Sequence, residues 1–121
     1  MIQPATTPPL TPAMTYAAVV GKVVERLRKQ RRITQGQLAE VLGIGQPAYS
    51  RLEQGQSTMN VIQLGQVAAQ LGTTPADILK EADEMATRLR AAGVDITSDK
   101  VSTAAVLIGL AVLAALFAAI K

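Results

Sequence analysis

The sequence predicts an all-α fold: five amphipathic helices in one small domain, followed by one helix that is hydrophobic on every side. Three observations carry this. Apolar residues recur at three- and four-residue spacing through residues 15–92, and no segment alternates with the period of two expected of a half-buried strand. The second to fifth helical patterns each end at a glycine: Gly43, Gly55, Gly72 and Gly93. Residues 104–120 contain no charge, amide or hydroxyl. A chain of 121 residues is long enough for one domain with appendages.

Residues 1–14, "MIQPATTPPLTPAM", are uncharged and carry Pro4, Pro8, Pro9 and Pro12, so they are expected to be a disordered lead-in. They lack the basic start and long apolar run of a secretory signal. The first helix is expected over about 15–31. Tyr16, Val20, Val23 and Leu27, with Val19 and Val24 beside them, form its apolar face, and Lys22, Arg26 and Lys29 lie opposite. The second follows Thr34, an N-cap that forms a capping box with Gln37; Leu38, Val41 and Leu42 are its apolar set. It is too short to be stable alone. The third starts at Gly45, with Pro47 in its tolerant first turn, and ends at Gly55. The fourth is capped by Asn60 with Gln63 and is expected to bury Val61, Leu64, Val67, Ala68 and Leu71. The fifth begins at Thr74 and Pro75, with Asp77 favouring the helix dipole, and runs through Ile78, Leu79, Ala82, Met85 and Leu89. Residues 93–102 read as a polar linker, and 103–121 as the hydrophobic helix.

Composition narrows the chemistry. The chain has no Cys and no His, which removes thiolate nucleophiles, Cys-ligated metals and the commonest general base. There is no glycine-rich phosphate loop, and the carboxylates Glu81, Asp83 and Glu84 fit an ordinary helix. An enzyme is not expected, nor is a cofactor or a metal. Two Tyr, one Phe and no Trp give no platform for stacking single-stranded bases. The net charge of +3 is uneven. Residues 22–51 hold seven cations (Lys22, Arg26, Arg28, Lys29, Arg31, Arg32 and Arg51) against Glu25 and Glu40. Such a concentration marks a polyanion binder or a membrane-surface protein.

The second and third helices meet at "LGIG". A short helix pair with a tight glycine turn presents its second helix as a ridge that fits the major groove of B-DNA, while the first crosses the phosphates. Gln35 opens the first helix of the pair and Gln46 the second. Glutamine can contact adenine through N6 and N7. Ser50 lies one turn beyond Gln46 and is small enough for close approach; Arg51 can reach guanine or phosphate. Arg31 and Arg32 are phosphate contacts or solubilising charges, with little to separate the two. Tyr49 is expected in the core.

The segments "TQGQLAEVLG", "SRLEQG" and "VAAQLG", in this order and spacing, resemble the lambda-repressor/Cro-like helix-turn-helix family over about residues 17–80. The resemblance implies a five-helix domain in which Gln35 and the first turn of the recognition helix, including Gln46 and Pro47, contact DNA. It also implies a structural ion pair between Arg28 and Glu53. The sequence departs from the family's usual Ser or Thr cap at Gly45, a loss of a few tenths of a kcal/mol. Pro47 removes one backbone donor.

The tail has two readings. Seventeen residues rise roughly 26 Å, just short of a hydrocarbon core of about 30 Å, and Val101, Ser102 and Thr103 close the gap. Its lack of a polar face favours a membrane anchor over residues 103–120 rather than a helix buried among several subunits. Arg88, Arg90 and Lys100 precede it and only Lys121 follows, which places the domain on the cytoplasmic face of a bacterial inner membrane. The expected protein is therefore a tail-anchored reader of double-stranded DNA and a transcriptional regulator, acting as a homodimer or higher homo-oligomer. The alternatives are a membrane-anchored interaction module resembling bacterial cytoskeletal anchors, or an antitoxin-type regulator with an oligomerising tail.

Overall fold

The computed structural model describes residues 11–98 and 103–119. Chain order is β1 (Ala13–Thr15), α1 (Tyr16–Gln30), α2 (Gln35–Leu42), α3 (Gln46–Glu53), α4 (Val61–Gln70), α5 (Pro75–Ala91), β2 (Asp95–Thr97) and α6 (Thr103–Ala118). The fold is thus mostly helical, with a small parallel strand pair that the sequence reading excluded. Three residues are too few to display a period of two, so neither strand left a pattern to read.

Local chemistry sets the helix starts. Thr34 Oγ1 accepts from Gln37 N at 3.1 Å while Gln37 Oε1 accepts from Thr34 N at 2.8 Å, completing the expected capping box of α2. Asn60 and Gln63 do the same for α4. Thr74 caps α5 through Asp77 N, and Thr15 caps α1 through Ala18 N. Gly45 begins α3 with no side-chain cap, as its lack of a side chain requires.

Val19, Val23 and Val24 of α1, Leu38 of α2, Tyr49 of α3, Val67 of α4, and Ile78 and Leu89 of α5 close one core. Val61 does not join it. It is the first residue of α4, turned outward by the cap, and with Ile62 it stays 81% and 73% exposed. Val41 is also exposed.

The strand pair ties the two ends of the domain together. Ala13 is in register with Asp95, Met14 with Ile96 and Thr15 with Thr97, and Asp95 N donates to Pro12 O at 2.8 Å. Residues 12–14 of the lead-in expected over 1–14 are thus held to β2, and the linker expected over 93–102 contains β2 and the buried Val94. Residues 1–10 and 99–102 lie outside the described residues.

The tail departs most from expectation. Among the described residues no helix is long and apolar enough to cross a membrane. α6 has 16 residues, and one side of it is docked on the domain: Ala105 and Leu113 are buried, and Gly109 passes Met14 and Ala13. A Cβ at Gly109 would stand 2.8 Å from Met14 Cγ, which is why glycine fits there. A partner for the apolar helix thus exists within the chain, supplied by β1, and the membrane anchor over 103–120 is not supported. Ile120, Val101 and Ser102, part of the span counted above, fall outside the described residues.

α1 and α3 touch backbone to backbone. A Cβ on Gly21 would overlap Glu53 O at 2.0 Å, and one on Gly55, at φ +76°, would overlap Ala18. Gly65 in α4 faces open space. Gly21→Ala is therefore expected to lose about 1–3 kcal/mol through overpacking, whereas Gly65→Ala gains about 0.5–1 kcal/mol through helix propensity; urea unfolding of the two variants reads the opposite signs.

Tyr16 Oη donates to Asp83 Oδ1 at 2.6 Å, joining α1 to α5. Burial first, then this bond, pushes the phenol up to about 12 from 10.0. A folded pKa above the unfolded value means stability present below pH 10 and lost as pH rises towards 12. The stability advantage of the wild type over Tyr16→Phe should accordingly shrink across that window in denaturation curves.

Candidate nucleic-acid interface

The site is the helix pair α2–α3 and the residues that hold it. α2 ends at Gly43, whose φ of +68° reverses the chain; Gly43 N donates to Glu40 O and Ile44 N to Ala39 O. Gly45 then starts α3, and only Ile44 separates the two glycines.

Beneath the pair lies one ion pair. Arg28 Nη2 meets Glu53 Oε1 at 2.7 Å and Nε meets Oε2 at 3.0 Å, a bidentate contact between side chains 11% and 2% exposed. Arg28 Nη1 donates to Ile33 O at 3.0 Å, and Gln35 Nε2 donates to Glu53 Oε1 at 3.2 Å. Bonding to Glu53, outweighing burial, raises the guanidinium above its already high pKa. Tyr49 is fully buried beside it; burial, then the neighbouring Glu53, keeps its phenol protonated far above the ordinary range. Its hydroxyl sits outside hydrogen-bonding geometry among the described residues.

The residues singled out from sequence fall into two groups. Gln46, Pro47 and Arg51 are exposed, and Ser50 is half-buried. Gln46 Oε1 lies against Gly36, 3.8 Å from where a Cβ would be, so the start of α3 meets the first turn of α2. Gln35 is half-buried, and one of its two amide N–H donors is given to Glu53. Arg31 and Arg32 occupy the α1–α2 turn, with Arg31 Nε near Gly72. Arg32, at φ +56°, is the one non-glycine with positive φ among the described residues. The sequence reading missed Gln54 and Gln56. Gln56 Nε2 donates to Gln54 Oε1 at 3.0 Å and Gln54 Nε2 to Ser50 Oγ at 3.2 Å, which extends the polar surface of α3. The only signal for them was the alternating "EQGQ" after the helix.

Charge is also redistributed. Lys22 and Lys29 pair with Glu25, Arg26 with Glu81 and Arg28 with Glu53. Arg31, Arg32 and Arg51, in or beside the helix pair, make no ion pair among the described residues; nor do Lys80, Arg88 and Arg90 of α5.

Comparison with known proteins agrees with this geometry. Residues 24–78 match the family model described as helix-turn-helix. Two crystal structures of the clp gene regulator ClgR from Corynebacterium glutamicum are similar, each at 28% identity. One aligns with a TM-score of 0.58 over 64% of this chain and 81% of its own; the other with 0.53 over 57% and 90%. No curated protein matches the sequence.

Removing one member of the buried pair strands the other. Glu53→Ala is expected to lose about 3–5 kcal/mol, while Arg28→Met with Glu53→Leu recovers most of that loss; chemical denaturation of both variants measures it.

Proposed function

We propose that this chain is a sequence-specific double-stranded DNA-binding protein and a transcriptional regulator, not an enzyme, that reads the major groove with α3. The observation that carries the reading is the coincidence of unpaired cations with an exposed polar helix face. Arg31, Arg32 and Arg51 are free of ion pairs among the described residues, and Gln46 and Ser50 present side chains that the core does not need. The helix-turn-helix match and the likeness to a gene regulator support it.

Residue roles follow from chemistry. Gln46 reads a base edge; its amide offers a donor and an acceptor side by side. Ser50 reads or closely approaches the neighbouring base, and Arg51 takes guanine or phosphate. Pro47 gives no backbone donor and contributes surface only. Gln35 gives one amide N–H to Glu53 and keeps the other, which with the backbone N–H at the start of α2 suits a phosphate. Arg32 holds a left-handed conformation that glycine would hold without strain. A long cation at that position, without an ion pair among the described residues, supports a phosphate contact. Two copies on a two-fold operator would place two α3 helices one DNA turn apart.

Selection from random duplex DNA followed by gel shift tests the proposal. Affinity should fall steeply with salt, each lost phosphate contact lowering the log–log slope by about one. Gln46→Ala and Ser50→Ala should each weaken the selected site by about 1–3 kcal/mol while leaving random DNA nearly unchanged. Arg51→Gln should weaken the selected site and flatten the salt slope. Arg32→Gly should stabilise the fold by about 0.5–1 kcal/mol and weaken both DNAs. Absence of binding at low salt would remove the function; equal loss on both DNAs for Gln46 and Ser50 would remove their reading role.

A further inference from the structure

Between α1 and α6 runs a groove of about 420 Å³, within the range of sites that enclose small ligands. Its floor is apolar: Leu110, Leu113, Ala114 and Phe117 of α6. Its other wall is the outer face of α1, with Lys22, Arg26 and Lys29. Arg26 Cζ stands 5.3 Å from the Phe117 ring centroid, so the aromatic end of the groove is capped by a cation.

The charges do not balance. Glu25 gives one oxygen to Lys22 and the other to Lys29, each at 2.8 Å, so one carboxylate is shared by two ammonium groups. Arg26 takes Glu81 at 2.7 Å. Three cations thus face two carboxylates, and one positive charge is left at the rim. Despite partial burial, hydrogen bonds from Lys22 and Lys29 hold the Glu25 carboxyl below its usual range, so the count stands at neutral pH.

We propose that this groove binds a single-chain amphiphile with one negative charge, such as a free medium-chain carboxylate, with its chain along Leu110, Leu113 and Phe117 and its head on Lys29, which leaves Glu25 to Lys22. The surplus of one charge fits a monoanion, and the apolar floor accepts a chain rather than a polar metabolite. Lys29, its side chain 65% exposed, can turn from Glu25 to the incoming head without breaking the core. A ligand so placed joins α6 to α1. This site is independent of the DNA-reading face and does not rest on it.

Calorimetry on the full chain with hexanoate, octanoate and decanoate, below their micelle concentrations, tests the proposal. Affinity should rise roughly fourfold per added methylene, the fold-change equivalent to ~0.8 kcal/mol of buried CH₂, until the groove is full. Decanol should bind at least tenfold more weakly than decanoate. Lys22→Gln with Lys29→Gln should abolish that preference, and Ala114→Leu, which fills the groove from an exposed position, should abolish binding with the helical signal unchanged. Decanoate binding equal to decanol, or unaffected by either variant, would overturn the proposal. So would binding to phosphatidylglycerol vesicles without binding to free decanoate, or self-association that occupies the groove and excludes decanoate.

Discussion

The contact between Arg28 and Glu53 is made where four segments converge. Arg28 comes from the last turn of α1, Glu53 is the final residue of α3, Ile33 lies in the α1–α2 turn, and Gln35 opens α2. α2 and α3 have eight residues each, too few to hold a helix in water without tertiary support. Their mutual angle therefore comes from outside them. The Gly43–Ile44–Gly45 turn fixes the start of α3, and the ion pair fixes its end. A buried pair of this kind contributes little net stability against an apolar substitute. Its value is geometric: a bidentate contact tolerates one orientation of guanidinium and carboxylate, so it sets the rotation of α3 about its own axis.

Spacing is set by the glycines. Gly21 and Gly55 let α1 approach the last turn of α3 to a distance at which any Cβ would overlap Glu53 O or Ala18. The two devices depend on each other. A methyl group at Gly21 would push away the very residue, Glu53, whose carboxylate Arg28 must reach. Core packing of Val19, Val23, Tyr49 and Val67 then fills the angle that ion pair and glycines define. Gln35 shows the same coupling from the other side, since one N–H of its amide goes to Glu53 rather than to the exposed surface.

Features written in local sequence were legible; of those made by distant segments, the Arg28–Glu53 pair was legible only through the family resemblance. The capping boxes of Thr34–Gln37 and Asn60–Gln63 involve residues three apart, so the pattern is the interaction. The helical core positions of α1 and α5 follow for the same reason, by period. The strand pair joins residues 13–15 to 95–97, and nothing in either triplet announces the other. Val61 misled because apolar spacing alone does not reveal that a first-turn residue can be turned outward by its cap. At the candidate interface, the exposure of Gln46 and Arg51 was legible from chemistry and position. The link of Gln54 and Gln56 to Ser50 was not, because it is a chain of side-chain bonds around a turn. The cations illustrate the limit most directly. Sequence counts seven equivalent charges in residues 22–51, and only the fold separates the four that are paired from the three that are not.

The tail poses the same problem in apolar form. A helix without a polar face says that its surface avoids water; it does not say how many of its sides are covered, or by what. Gly109 is where α6 passes Met14 and Ala13, and Ala105, four residues earlier, is buried on the same side. Small residues at four-residue spacing serve close approach to any neighbour, and here the neighbour is a strand of the same chain. The remaining surface is unequal. One strip, with Leu107 at 62% exposure, faces away from the domain, whereas Leu110 and Phe117 face α1 across a gap that side chains do not fill. An apolar wall set opposite shared lysines is a different object from an apolar wall set in lipid. Its occupant must satisfy a hydrophobic floor and a surplus cation together, which neither a bare hydrocarbon nor a polar anion can do.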